Sequence, residues 1–521
     1  MRVQKLPFTE TNSFSSFFLD YIQQKETLKK FYSLFPEQKN FKEQIDNKKQ
    51  SYPQSHRSTL VNSLQSQYKN LTQKDSVKKN ISLLSQANTF TITTGHQLNI
   101  FTGPLYFIYK IVTVINACKE LKKQFPDNNF VPIYWMASED HDYDEIKYFK
   151  LYGKKYTWET DQQGAVGRFD PRSIEKLFAD IPGEISLFKN AYLKHNSLSE
   201  AVQYYVNELF GDEGLIVIDA DDRNLKKLFQ SVITEDLFNH TPKKLVEEQN
   251  QQLESLGYHP QVFARDVNFF FLDKNLRSRI ELKADRFCVV DSHIQFSKDE
   301  IASLIESEPE KFSPNVILRP LYQEVILPNL AYAGGPAEVI YWLQLKGVFD
   351  HFKVPFPMLM PRNFALVIEK HVANKFEKTD LDYQLLFEDK NYLFNQWILK
   401  NTGHDLSLGE ELALFAEQFA SIRDRASSID ATLFKFVEAQ ATRTAKSLEK
   451  IEQKMLRAEK RVHSEKLGQL ESVKDSLFPH GSPQERVDNF LNFYQKDPQF
   501  IQKLLKTFDP FDFRFNLLFY E

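Results

Sequence analysis

Cysteine is nearly absent from this chain of 521 residues: only Cys118 and Cys288 occur, far apart in sequence. That excludes a disulfide scaffold and a CxxC zinc site, and it suits a reducing compartment. Long hydrophobic runs are missing too, so no segment reads as a membrane span. The opening stretch MRVQKLPFTETNSFSSFFLDYI lacks the continuous apolar core of a signal peptide. A cytoplasmic protein without a membrane partner is the expectation. Charge of one sign is also scarce. The formal net charge is -4, and no basic stripe carries interleaved aromatics, so nucleic acid is not an expected partner.

What remains is globular. Hydrophobic residues make up 42% and charged residues 26%, and 46 phenylalanines can fill large cores. A chain of 521 residues exceeds one ordinary core, so two or three domains are expected.

Thr89–Lys122 is the organising stretch. Phe90, Ile92 and the threonines around them favour a strand. Gly95-His96-Gln97 breaks the pattern, and Thr102-Gly103-Pro104 opens a helix, with proline suited to its first turn. Leu105, Ile108, Val112 and Ile115 follow at helical spacing. A strand that runs through a Gly- and His-bearing turn into a helix can place a ligand at the helix N-terminus. The next strand, Phe130–Met136, is almost continuously apolar, as strands buried on both faces are. It ends in the polar cluster Ser138-Glu139-Asp140-His141-Asp142. Leu215–Ile218 repeats the theme, ending in Asp219-Ala220-Asp221-Asp222. Ala333-Gly334-Gly335-Pro336 precedes a helix over Ala337–Phe349, and Pro357–Met360 closes at Pro361-Arg362-Asn363. Together these predict an α/β, doubly wound Rossmann-like core.

Around that core the sequence predicts helices at Phe14–Phe35, Phe41–Lys49, Ser58–Tyr68 and Val77–Gln86, packed on the outside of the first domain. A hairpin is expected from Lys154–Trp158 and Ala165–Phe169, with short strands in Tyr258–Phe271 and Cys288–Val290. Leu408 to Ile429 and Phe434 to Val462 carry sustained heptads, predicting an antiparallel helical coiled coil with Asp430 as the N-cap of the second helix. The first helix is the shorter, so a second subunit could cover the uncovered stripe. The end of the chain reads as a helical pair with an aromatic tail. The expected division is 1–150 (first half of the core), 151–213 (insertion), 214–375 (second half with a further insertion), 376–482 (coiled coil) and 483–521 (tail on the body).

The Ser138–Asp144 cluster leaves three functions open. It could hold a divalent cation, orient an amine and hydroxyls, or supply a general base, with His141 the best candidate. His96 lies where a phosphate would approach the following helix. Lys110, two turns into that helix, is expected in solvent. The basic run Arg457–Arg461 reads as the solvent face of a helix.

The combination TTGHQLNIFTGPLYFIYK, VPIYWMASEDHDYDEI, NVILRPLYQEVILPNLAYAGGPAEVIYWLQLK, PMLMPRN and a helical hairpin with LEKIEQKMLRAEKR resembles the bacillithiol biosynthesis cysteine-adding enzyme family. The resemblance implies a core similar to class I aminoacyl-tRNA synthetases, connective insertions, and a coiled coil that forms a homodimer. It implies a ligase joining cysteine to the amine of glucosaminyl-malate. In the wider group a turn with His and Gly after the first strand binds ATP. Thr94-Gly95-His96-Gln97 stands there with one His of a two-His signature. No KMSKS-like loop and no Cys pair for zinc are present. ATP with Mg²⁺ is the implied cosubstrate, and no protein metal site is firmly expected. On this reading the Gly95–Pro104 turn, with His96, Thr102 and Gly103, meets the activating group. The Ser138–Asp142 cluster holds the sugar hydroxyls and deprotonates the amine, with His141, Asp140 and Glu139 as the catalytic residues, His141 the base, and Ser138 and Asp142 binding the substrate. Asn329, Tyr332, Gly334, Gly335 and Glu338 close the far side, and Arg319 or Arg362 binds malate. Two rivals are a metal-dependent hydrolase built on Ser138–Asp144 and a non-enzymatic coiled-coil scaffold.

Overall fold

The computed structural model describes residues 1–72 and 74–520. Its centre is a five-stranded sheet built from β1 (Thr89–His96), β2 (Asn129–Met136), β3 (Ile216–Asp219), β4 (Asn329–Gly334) and β5 (Met358–Pro361). All neighbours are parallel, in the order β5-β4-β1-β2-β3. The chain therefore winds outward from β1 in one direction, then returns and winds in the other. The reversal falls between β1 and β4, where an open α/β sheet leaves a crevice beyond the carboxyl ends of its strands.

Alternation builds the two layers. Val131, Ile133 and Trp135 enter one core cluster, while Phe130, Tyr134 and Met136 enter the other. Ile216 and Ile218 likewise oppose Val217. Successive side chains of a strand point to opposite faces, so a strand covered on both sides must be apolar throughout. Each such fully buried Ile or Val contributes about 1.5–3 kcal/mol. Helix α1 (Tyr106–Gln124) follows β1 and is buried continuously from Phe107 to Cys118. Helix α2 (Pro336–Leu343) follows β4; a separate helix, Lys346–His351, completes the single helix expected over Ala337–Phe349.

Two insertions interrupt the winding. In the first, Lys154–Thr157 pairs backward with Tyr148–Leu151, not forward with Ala165–Phe169 as the sequence suggested. Tyr152 (φ 50°) and Gly153 (φ 78°) supply the two positive φ values of a tight hairpin loop, which Glu159–Gly164 is too long to imitate. Val166–Arg168 is instead one 3-10 turn. The second insertion carries an antiparallel sheet in the order Gln295–Phe296, Arg286–Val289, Leu276–Lys283, Phe269–Asp273, Phe312–Pro314. Regular pairing in the expected Tyr258–Phe271 strand begins only at Phe269.

Near the N-terminus the expected Phe14–Phe35 helix is two pieces, Ser16–Ile22 and the 3-10 turns Glu26–Phe31. Arg2–Pro7, for which the sequence suggested no element, is a strand. It pairs antiparallel with Arg514–Tyr520, which pairs parallel with Ala365–Glu369. The aromatic tail is thus the middle strand of a three-stranded sheet, with Phe515, Leu517 and Leu518 buried. Helices α3 (Gly409–Ile429) and α4 (Leu433–Val462) form the antiparallel hairpin. Asp430 holds the turn by accepting from the Thr432 N–H (2.7 Å) and hydroxyl (2.8 Å), and α4 starts at Leu433.

Candidate active site

A cavity of about 670 Å³ opens at the switch point, beyond the carboxyl ends of β1, β2 and β4. β1 contributes Gly95, His96 and Gln97. The segment after β2 contributes Ser138, Glu139, Asp140 and His141. Tyr332 of β4, Arg319, the α2 start at Gly335 and Glu338, and Arg362 complete the expected residues present. Thr94, Thr102, Gly103, Asp142, Asn329 and Gly334 do not line it.

Each absence has a local cause. The Thr94 hydroxyl donates to the Ala333 carbonyl (2.7 Å), tying β1 to β4. Asn329 lies in a buried network, accepting from Thr91 (3.1 Å) and Thr93 (2.8 Å) and donating to Glu324 (2.6 Å). Asp142 is exposed. A Cβ on Gly334 would come within 3.0 Å of both Glu338 and Tyr332, so this glycine lets Glu338 fold back. Thr102 and Gly103 sit in a strained turn (Phe101 φ 52°, Thr102 φ 71°, Gly103 φ 63°) covered by the C-terminal segment. Asn489 donates to the Phe101 and Gly103 carbonyls (2.7 Å each), and the Leu105 N–H donates to Asp488 O (2.7 Å). The N-terminus of α1 is therefore occupied by the protein itself, which corrects the expectation that a phosphate meets it.

Lys110 also departs from expectation. It is buried, 2.6 Å from Glu338, and donates to the Gly95 carbonyl (2.9 Å). Glu338 further accepts from Tyr332 (2.5 Å) and the Gly335 N–H (2.8 Å). Burial pushes this carboxyl up, but Lys110 and those donors outweigh it and hold Glu338 below the usual glutamate range. His96 is pushed down to about 3, chiefly by burial and then by the Lys110 charge, so its imidazole is neutral. His96 Nε2, Arg319 Nη2 and Arg362 Nε are buried with no protein partner. Unsatisfied buried nitrogens are costly, and all three belong to residues that line the cavity. Arg362 is otherwise committed: Glu485 takes its Nη1 (3.1 Å) and Nη2 (2.6 Å).

On the opposite wall Glu139 pairs with the fully buried Lys226, which also donates to Phe312 O (2.7 Å). Burial drives Glu139 up to about 7, against the pull of Lys226 and with the help of Asp221. Asp140 moves the other way. Burial would raise it, but His141, Arg277 and Gln97 (3.2 Å) hold it well below the usual carboxylate range. Two carboxyls adjacent in sequence are thereby set to opposite protonation behaviour, as in acid–base sites. The Ser138 hydroxyl is bonded to Asp219.

His141 meets Arg277 at its Nδ1 (2.6 Å). A guanidinium only donates, so at this contact Nδ1 is placed to accept. This geometry does not suit the expected role of His141 as proton acceptor. Each cavity carboxylate is matched to a cation, and among the described residues no group of three His, Cys, Asp or Glu converges as a metal site.

Sequence reasoning missed most of the positive wall: Lys110, Arg265, Arg277, Arg279 and Arg486 all line the cavity. With Arg319 and Arg362 they outnumber the lining carboxyls Glu139, Asp140 and Glu338, although Glu485 pairs with Arg362 and Glu281 with Arg279 outside the lining. Two signals were available. Tyr106 and Lys110 share a helix face at i,i+4, and Arg277 and Arg279 share a sheet face at i,i+2.

Fold and cavity define a doubly wound α/β protein with an anion-favouring site at its switch point and an appended helical hairpin. Family comparison agrees. The model described as "Bacillithiol biosynthesis BshC, N-terminal Rossmann-like domain" matches residues 1–363. That described as "Bacillithiol biosynthesis BshC, C-terminal coiled-coil domain" matches residues 365–520. This chain belongs to the BshC family. It is 41% identical to "Putative cysteine ligase BshC" of Flavobacterium johnsoniae, over 98% of this chain and 99% of that one. A Christiangramia forsetii protein of the same name is 40% identical, over 98% of each chain. A third, from Chloroherpeton thalassium, is 30% identical over 82% of this chain and 81% of its own. Among the described residues no helix is long and apolar enough to cross a membrane.

Proposed function

We propose that this protein is a cysteine ligase that forms an amide between the carboxyl of L-cysteine and the amine of glucosaminyl-malate, yielding bacillithiol. The observation that carries this reading is the cavity's pattern of charge: a cation-rich wall beside a carboxyl held near neutrality. Glucosaminyl-malate brings two carboxylates and an ammonium. Arg319, with its unpartnered Nη2, suits a malate carboxylate, and His96 Nε2 suits a neighbouring oxygen. Arg362 offers only its free Nε, because Glu485 holds the rest of the guanidinium. The ammonium must lose a proton to become a nucleophile. Glu139, near pH 7 half ionised, is the group matched to that transfer.

A carboxylate does not acylate an amine unaided, so cysteine must first be activated. ATP with Mg²⁺ is the proposed activating cosubstrate. The residues bear on where it fits. The α1 N-terminus is closed by Asp488 and Asn489, whereas the first turn of α2, at Gly335-Pro336-Ala337, lines the cavity beside Lys110 and Arg319. A phosphate there would meet Arg319 and would share Lys110 with Glu338, whose carboxylate also takes the Gly335 N–H. Mg²⁺ commonly keeps its waters and binds through substrate phosphates, so it needs no dedicated protein cage.

The test is a mass-spectrometric assay of purified protein with glucosaminyl-malate and cysteine, with and without ATP and Mg²⁺. A nucleotide-dependent product of the condensed mass supports the reading, and release of AMP or ADP identifies the activated species. Absence of that product with each cosubstrate supplied overturns it. The exposed apolar residues Leu414, Ile422, Ile451 and Val462 on the hairpin support a homodimer formed through the coiled coil. Light scattering that returns a monomer mass would sink that assignment.

A further inference from the structure

We propose that Arg277 is a positioning residue that locks His141 in its Nε2–H tautomer, making His141 a hydrogen-bond donor to an oxygen of the bound substrate. The inference rests on the ligase reading for its catalytic consequence, but its structural part stands on geometry alone.

Arg277 belongs to the insertion sheet, on the strand Leu276–Lys283, whereas His141 follows β2 of the core. The guanidinium is fixed from several sides. It stacks 3.9 Å above the Phe270 ring, and its Nε donates to the Ser313 hydroxyl at 3.2 Å. Its Nη1 lies 3.4 Å from Asp140 Oδ1 and 2.6 Å from His141 Nδ1. The side chain is only 8% exposed, so little freedom remains to it. The His141 ring packs on Phe270 as well, with centroids 5.4 Å apart. One phenylalanine therefore carries both the guanidinium and the imidazole.

A proton on Nδ1 would set an N–H against an N–H at 2.6 Å, so the contact selects the tautomer with the proton on Nε2. Nε2, already bearing its proton, cannot take another, and an imidazolium would need a proton on Nδ1, against Arg277. The nitrogen left to the cavity donates. In amide formation the acceptor it fits is the carbonyl oxygen of the activated cysteine, which gains negative charge as the amine attacks. Proton removal falls to Glu139.

Two experiments separate this from the ligase reading. First, nitrogen NMR of protein labelled on histidine reads the tautomer without turnover, with His141→Gln identifying the resonances. The expected spectrum has His141 Nδ1 unprotonated and Nε2 protonated, and Arg277→Met shifts it toward a mixture. An Nδ1–H tautomer in the native protein, or a spectrum unmoved in both Arg277→Met and Arg277→Lys, overturns the proposal. Second, if the ligase assay succeeds, His141→Gln keeps an N–H donor without a titratable nitrogen. It should retain kcat within about tenfold, whereas loss of a general base costs on the order of 10²–10⁴-fold. A loss of that size would return the base role to His141 and overturn the donor role. Failure of the ligase assay with the expected spectrum would reject the ligase and leave the tautomer assignment standing.

Discussion

Two turns in this protein are written in nearly the same letters. Thr102-Gly103-Pro104 leads from β1 toward α1, and Gly334-Gly335-Pro336 leads from β4 into α2. Each offers glycine, then proline in or beside the first helical turn, and each follows a strand of the same sheet. Their fates differ. The first is buried beneath Asp488 and Asn489, with its carbonyls and the helix N–H groups bound by protein. The second lines the cavity and lets Glu338 fold back onto Lys110 and Tyr332. Local chemistry qualifies a turn to hold a ligand, and what lies across from it decides whether the ligand is another part of the chain.

The comparison predicts that removing a reacting group of the cavity damages turnover, that breaking the cavity's Lys110–Glu338 pair costs stability, and that changes at the buried turn damage stability alone. The largest effect is expected next to the second turn's cavity, at Glu139. Glu139→Gln keeps an acceptor for Lys226 but removes the base, so kcat should fall on the order of 10²–10⁴-fold. In the native enzyme kcat/KM should decline as pH drops below about 7, where Glu139 gains a proton, and the variant should lose that limb. An unchanged acid limb in Glu139→Gln would remove Glu139 from the mechanism.

Lys110→Met comes next. It strands the Glu338 carboxylate, 25% exposed and still held by Tyr332 and the Gly335 N–H, which should cost on the order of 3 kcal/mol in urea unfolding. The double variant with Glu338→Gln should recover part of that loss. The pH dependence follows from Glu338 being held below its ordinary range. Its contribution is present above the unfolded-state value and fades as acid protonates the folded carboxyl. In Lys110→Met that dependence should flatten. A single variant as stable as the native protein would show that the pair is not coupled.

At the buried turn, Gly103→Ala places a Cβ 2.5 Å from the Asn99 Cβ on a backbone at φ 63°. Strain and overlap together should cost on the order of 3 kcal/mol. Asn489→Ala removes the donor from two buried carbonyls and should cost about 1–3 kcal/mol. In both, KM for substrates measured below the melting range should stay within a factor of about two, the reverse of the cavity variants. A KM raised tenfold with unchanged stability would place the first turn in the site after all.

Much of the fold was legible because its signals are local. Continuous apolar strands ending in polar clusters marked β1, β2 and β3. The heptads marked the helical hairpin, since a stripe repeating every three and four residues must bury one side. The cavity's core-derived side was legible for the same reason: Gly95, His96 and Ser138–His141 stand at strand ends. Arg2–Pro7 and Arg514–Tyr520 were not, because each becomes a strand only by pairing with the other, across the whole chain.

By itself the sequence determined the doubly wound core, because periodicity and strand-end composition act within a few residues, while its motifs pointed to the family by resemblance. Tertiary structure alone decided which glycine turn faces the cavity, which arginines reached it and which side chain meets His141 Nδ1. Those outcomes depend on groups distant in sequence meeting in the folded chain. Arg277 lies 136 positions from His141, and Glu485 lies 123 positions from the Arg362 it neutralises. Burial there turns charge pairing and desolvation into the dominant energies, and no pattern along the chain records them.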